Sequence, residues 1–173
     1  MVETGEDGPD RADRIAAGAD AAKSAWQATL DEAEALAQRR SEEGREAVVV
    51  AAGDAGLTTT DDGDVRLEFV VPGDDAETAE RLVTEHSLDR FDVYRRTVDQ
   101  NVFLVVEYFE SGGPALLVAS TYELRNAGNA FAAAADDPAF YTRLQKLDRT
   151  PVAEFAHADR SKFVPEDRVS VGE

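Results

Sequence analysis

The segment Val102-Phe103-Leu104-Val105-Val106 is apolar at every position. Successive side chains of a strand point to opposite faces, so an unbroken apolar run needs cover on both sides. The run is expected as part of a central strand, Val102 to Phe109, joined in a hairpin to a strand from Phe91 to Thr97. The connecting Asp99-Gln100-Asn101 consists of residues that tolerate positive φ, as a tight turn requires.

A second feature limits how such a sheet is covered. Ile15, Ala19, Ala22, Trp26, Leu30, Ala33 and Ala37 recur at spacings of three and four, which puts them on one face of a helix from about Asp10 to Glu43. Gly44 is a natural stop for it. At 1.5 Å per residue this helix is about 45 Å long, more than a core of this size covers. Part of it must project, bend at Gly18, or pack on another subunit. Ile15, Ala19, Ala22, Trp26 and Leu30 are therefore the candidate interface of a homodimer. Alanine lets a second helix approach closely, and Trp26 is the one large anchor, a residue type enriched at the centres of interfaces.

The remaining pattern supplies a mixed domain. Glu46 to Ala52 reads as a short buried strand, followed by a polar loop with its turn at Asp61-Asp62-Gly63-Asp64. Val65, Leu67, Phe69 and Val71 alternate as a strand closed by Pro72-Gly73. Asp74 or Asp75 caps a helix to about Ser87, with Ala79, Leu82, Val83 and His86 inward. Ser111-Gly112-Gly113-Pro114 is a turn, and Ala115 to Ser120 a further strand. An Ala-rich helix follows from about Tyr122 to Ala135. Asp136-Asp137-Pro138 then starts a last helix carrying Phe140, Leu144 and Leu147. Val152, Phe155 and Phe163 lay the final segment back on the body. The expected fold class is α+β: a mostly antiparallel five-stranded sheet with a long N-terminal helix and further helices. Its element order, α-β-β-α-β-β-β-α, is similar to that of roadblock and longin-like domains and more loosely of profilin-like folds. The expected organisation is one domain over residues 10–165, with a disordered stretch at 1–9 and a frayed one at 166–173.

Charge narrows the function. Thirty-six Asp and Glu stand against eighteen Lys and Arg, a net charge of −18. General nucleic-acid binding needs the opposite surplus. No window approaches the roughly 18 apolar residues of a membrane span, and the first residues lack the pattern of a signal peptide. No cysteine is present, which excludes disulfides and thiolate chemistry. The expected location is the cytoplasm. Only three of the basic residues are Lys, and the acids alternate with apolar residues, as in Val65-Arg66-Leu67-Glu68-Phe69. Distributed acid with little Lys suits a surface that works in concentrated salt, where a Debye length of about 3 Å screens the repulsion.

Known catalytic patterns are missing: no phosphate loop, no dinucleotide fingerprint, no nucleophile elbow and no zinc-binding H-E-x-x-H. His157 with Glu154 has the i, i+3 spacing of helical metal ligands, yet acids lie near any His in so acidic a chain. Asp61-Asp62-Gly63-Asp64 lacks the ligand rhythm of an EF-hand. No metal or cofactor is expected. Glu107 stands out, because it interrupts an apolar run on a central strand. An Arg on the partner strand would satisfy it by a bidentate bond. Tyr94, Arg95, Arg96, Glu107 and Tyr108 are thus the candidate ligand-binding residues, with the dibasic Arg95-Arg96 suited to an anion or an acidic segment.

The helix from Trp26 to Gly44, the hairpin from Phe91 to Phe109 and the segment around Tyr122 resemble a group of short acidic proteins of halophilic archaea. The resemblance spans about residues 20–167. That group has no characterised function and implies no site residue. The reading is a non-enzymatic interaction or ligand-binding domain, a candidate homodimer with a protein or small-molecule partner. The alternative is a small-molecule enzyme with a pocket around Glu107, Arg95 and Tyr94.

Overall fold

The computed structural model describes residues 2–165, with side chains from residue 12 onward. These residues form three α-helices and two four-stranded sheets. The chain runs through α1 (Val2–Glu42), β1 (Ala47–Asp54), β2 (Gly56–Thr59), β3 (Val65–Val70) and α2 (Gly73–Glu85). It continues with β4 (Arg90–Val98), β5 (Asn101–Phe109), β6 (Ala115–Glu123), α3 (Leu124–Ala132), β7 (Phe140–Gln145) and β8 (Pro151–His157). One sheet has the order β1-β6-β5-β4, with β1 parallel to β6. The other has the order β2-β3-β7-β8, with β3 parallel to β7.

Strand β5 does what its composition demands. Val102, Leu104, Val106 and Tyr108 face the second sheet and join Leu67, Phe69, Phe140 and Leu144 in one core. Ala76, Ala79 and Leu82 of α2 and Leu124, Ala127 and Phe131 of α3 add to the same core. On the opposite face of β5, Val105 packs with Leu117 and Ala119 of β6 beneath Ala33 and Leu36 of α1. The first sheet is therefore buried on both sides, by the second sheet and by the long helix. The turn before β3 presses on the segment that follows α3. Gly63 has φ 86°, and a Cβ there would lie 2.7 Å from that of Ala135, so only glycine fits both demands.

Several expectations need correction. A five-stranded, mostly antiparallel sheet is not formed; eight strands divide between two mixed sheets. The roadblock-like order is not matched. Asp136-Asp137-Pro138 does not start a helix, and residues 140–145 form β7 instead, with Phe140, Thr142 and Leu144 inward at period two. Leu147 is 86% exposed rather than inward. The final segment is a strand, β8, and part of the loop after β1 is β2. Helix α1 begins at Val2 rather than near Asp10, so residues expected to be disordered belong to it. It also passes through Gly18 without a break. The segment 166–173 lies outside the described residues. The α+β class, α2, α3 and the β4–β5 hairpin stand close to where the sequence placed them.

At 1.5 Å per residue the 41-residue α1 is about 60 Å long. Its first buried residue is Ala25, followed by Thr29, Ala33 and Leu36. Residues 12–24 contain no buried position, and Ile15 is 66% exposed. Only the second half of α1 lies on the sheet.

Candidate functional site

The second half of α1 ends in a defined cap. The Arg45 N–H donates to the Arg40 carbonyl at 3.0 Å and the Gly44 N–H to the Ser41 carbonyl at 2.9 Å. Gly44 takes φ 80°, so the end is a Schellman motif built where glycine permits it. Arg40 leaves this last turn towards β5. Its Nε donates to Glu107 Oε2 at 2.6 Å and its Nη2 to Oε1 at 3.0 Å. The Glu107 side chain is 0% exposed and that of Arg40 is 19% exposed. A lone buried carboxylate is costly, and the two-pronged guanidinium answers both its charge and its geometry. The hydrogen bond to Glu107 holds the Arg40 pKa above its usual value. Tyr94, on the same face of β4, is also pushed up, first by burial and then by the Glu107 carboxylate.

The partner of Glu107 thus comes from α1 and not from the neighbouring strand. Across β4 the residue opposite Glu107 is Asp92, while Arg95 and Arg96 face Leu104 and Phe103. Arg40 was legible in principle, because it follows Leu36 by four residues on the buried stripe. Tyr94, Arg95 and Arg96 do come together. With Thr29, Glu32 and Phe103 they line a groove of about 360 Å³ between α1 and β4. Glu107 and Tyr108 do not line it. Both Glu107 oxygens are held by Arg40, and Tyr108 points to the opposite side of β5, between the sheets. Arg95 reaches the Ser161 carbonyl at 3.4 Å. Glu68, a carboxylate on β3, lies in the second sheet and accepts from Arg66 at 2.9 Å.

Among the interface candidates, Trp26 and Leu30 are partly buried against the first sheet, whereas Ile15 and Ala19 stand on the projecting half with Ala22 between.

A polar chain crosses the main core. The Tyr108 hydroxyl lies 2.6 Å from Thr142 Oγ1, which lies 2.7 Å from His157 Nε2. With the proton on Nδ1, Tyr108 donates to Thr142 and Thr142 to His157, leaving one buried ring N–H without a partner. Burial pushes the Tyr108 pKa up and lowers that of His157 to about 4. Glu154 and His157 sit on a strand, not a helix, and three residues apart they face opposite ways. Glu154 pairs with Arg66 at 3.5 Å instead. The metal spacing read from sequence is thereby undone. His86, at the C-terminal cap of α2 as its position suggested, lies 3.4 Å from Glu110. A cleft of about 760 Å³ opens where β1, β3 and β7 end, between Ala51, Val70, Pro72, Lys146 and Leu147. No sequence motif marked it.

The model of a family of unknown function, DUF7529, matches residues 12–165. The match takes in most of the chain, and the chain belongs to that family. No curated protein and no solved structure matches it.

Glu107→Gln leaves the Arg40 charge without its counterion and is expected to destabilise the fold by about 3 kcal/mol. The double replacement Arg40→Met with Glu107→Leu should recover most of that loss. Chemical denaturation at fixed high salt measures both; a neutral Glu107→Gln contradicts the assignment. For His157, the unfolded chain gains a proton near pH 6.5 and the fold only near 4. Its contribution is complete above about pH 6.5 and is lost as pH falls towards 4, on the order of 2 kcal/mol. Melting curves across this window should fall more steeply for the wild type than for His157→Asn; equal slopes contradict it.

Proposed function

We propose that this member of DUF7529 is a non-enzymatic interaction domain that pairs with a second copy of itself through the projecting half of α1. The observation that carries the reading is the contrast within one helix: residues 25–40 include the buried positions that seat it on the sheet, and residues 12–24 include no fully buried position. A helix draws most of its stability from tertiary packing of one face, and an isolated turn of few contacts is marginal in water. Ile15, with Ala19 and Ala22 beside it, is the apolar strip on which that packing would form. The strip is narrow and nearly all alanine, which suits close contact between two helices related by a two-fold axis. The binding of Glu107 by Arg40 argues against a reading in which that carboxylate works on a substrate.

The second element of the reading is the working environment. A net charge of −18 on a single domain repels itself at low ionic strength. Near molar salt the Debye length falls to about 3 Å and the repulsion is screened. The spread of acids along the whole chain and the three lysines support a protein of salt-rich, halophile-type cytoplasm.

Sedimentation in 2 M KCl should give a dimer mass that dissociates on dilution, and Ile15→Asp should give a folded monomer whose melting temperature no longer depends on protein concentration. The same samples in 0.1 M KCl should melt markedly lower, more than an uncharged excluded solute explains. A wild type monomeric at high concentration overturns the dimer, and a melting temperature flat with salt overturns the halophile reading.

A further inference from the structure

Where α1 lifts away from the first sheet, it leaves a pocket that borders the dimer strip at Ala22. The pocket has a volume of about 370 Å³. Ala22, Lys23 and Trp26 of α1 form one side of it, and Asn101 and Phe103 of β5 with Thr121 of β6 form the other. Gly53 and Asp54 at the end of β1 close one edge. The strand register explains the grouping: Thr121 pairs with Phe103 on one flank and with Asp54 on the other. Three strands thus end in one row under the point where the helix departs. Gly53, at φ 66°, keeps that edge open, with no atom within 4 Å of where a Cβ would be.

The chemistry of the lining is specific. Two aromatic side chains, Trp26 and Phe103, come from opposite sides of the cavity and offer stacking surface. The Thr121 hydroxyl oxygen is buried and has no hydrogen-bond partner among the described residues. Buried polar atoms are nearly always paired, so an orphan at the wall of a cavity marks a place where a ligand atom or an ordered water completes the bond. Asn101 carries a carbonyl acceptor and an amide donor side by side, the complement of a ring lactam or amidine edge. Asp54 adds an acceptor for ring or exocyclic N–H groups. The cavity is at the small end for ligand sites, which run from about 300 Å³. It has room for a single heterocycle with a sugar at its mouth, and not for a dinucleotide.

We propose that this pocket binds a planar nitrogen heterocycle of the nucleobase class, as the nucleoside. Trp26 and Phe103 stack on the ring, and Asn101, Thr121 and Asp54 read its edge. Lys23 is the one cation among the described lining residues, in a chain of net charge −18, so added phosphates are disfavoured. Selectivity should therefore run nucleoside above monophosphate above triphosphate.

The only Trp in the sequence lines the pocket, so indole emission reports on this site alone. Adenosine, guanosine, cytidine and uridine are titrated separately into the full-length protein in 2 M KCl, at one fixed protein concentration, with calorimetry alongside. At least one is expected to quench Trp26 emission saturably. Thr121→Val, which keeps the shape and removes the hydroxyl, should weaken that nucleoside about tenfold or more with the melting temperature held. Asn101→Leu should do the same and serves if Thr121→Val fails to fold. Failure of all four nucleosides to saturate overturns the proposal. So does undiminished binding by both variants, which would leave the quenching non-specific. An emission change that follows protein concentration alone, with no response to nucleoside, would assign the cavity to the dimer contact and likewise overturn it.

Discussion

The contact between Arg40 and Glu107 places the longest element of the molecule. The fully buried positions of α1 are Ala25, Thr29 and Ala33, with Leu36 the one large side chain among them, and Trp26 and Leu30 are only partly buried beside them. Alanine buries little area, and a face of small residues sets no steep preference for one position along the sheet. The guanidinium fork does. Its two bonds, 2.6 and 3.0 Å, join residues far apart in sequence and are satisfied in one alignment only. Gly44 and its cap then turn the chain directly into β1, which runs beside β6 under the same helix. Everything that α1 does beyond Ala25, including its long unseated half, follows from where this fork holds it.

On the other side of the first sheet the packing is of a different kind. Large side chains, Tyr108, Phe69, Leu104, Leu116 and Leu144, fill the space between the sheets, and Tyr108 stacks on Phe155 at 4.2 Å. The polar chain from Tyr108 through Thr142 to His157 ties the two sheets at one defined register. It leaves one ring nitrogen unpaired, and the neutral imidazole is the form such a place tolerates. The two faces of one strand, β5, thus meet two solutions to the burial of polar groups: a full ion pair towards the helix, and a neutral hydrogen-bonded chain towards the second sheet.

The sequence disclosed what periodicity alone decides. Val65, Leu67 and Phe69 alternate and form β3; the β4–β5 hairpin turns at Asp99, which takes φ 54°. Strand β7 was hidden because Thr142, one of its inward residues, is polar, and the remaining Phe140, Leu144 and Leu147 fall at helical spacing. Leu147 proved to be solvent-facing. Reading β7 as helix removed the partner of β8 and β3, and with it the second sheet. At the site, the anomaly of Glu107 was plain from its place in an apolar run, but its partner was sought across the strand pair. Long-range contacts of that sort are set by how layers stack, which local pattern does not encode. The pocket below Trp26 was invisible for the same reason, since its walls come from four separate elements.

Amide hydrogen exchange along α1 tests the central claim that one helix is half seated and half free until a second copy arrives. In dilute protein at molar salt, amides of residues 25–42 should exchange only through near-global unfolding, while those of residues 12–24 exchange through local opening. Raising the concentration into the dimer range should protect residues 12–24 and leave the others unchanged. Uniform protection along the whole helix in the monomer, or protection of residues 12–24 that ignores concentration, would contradict the account.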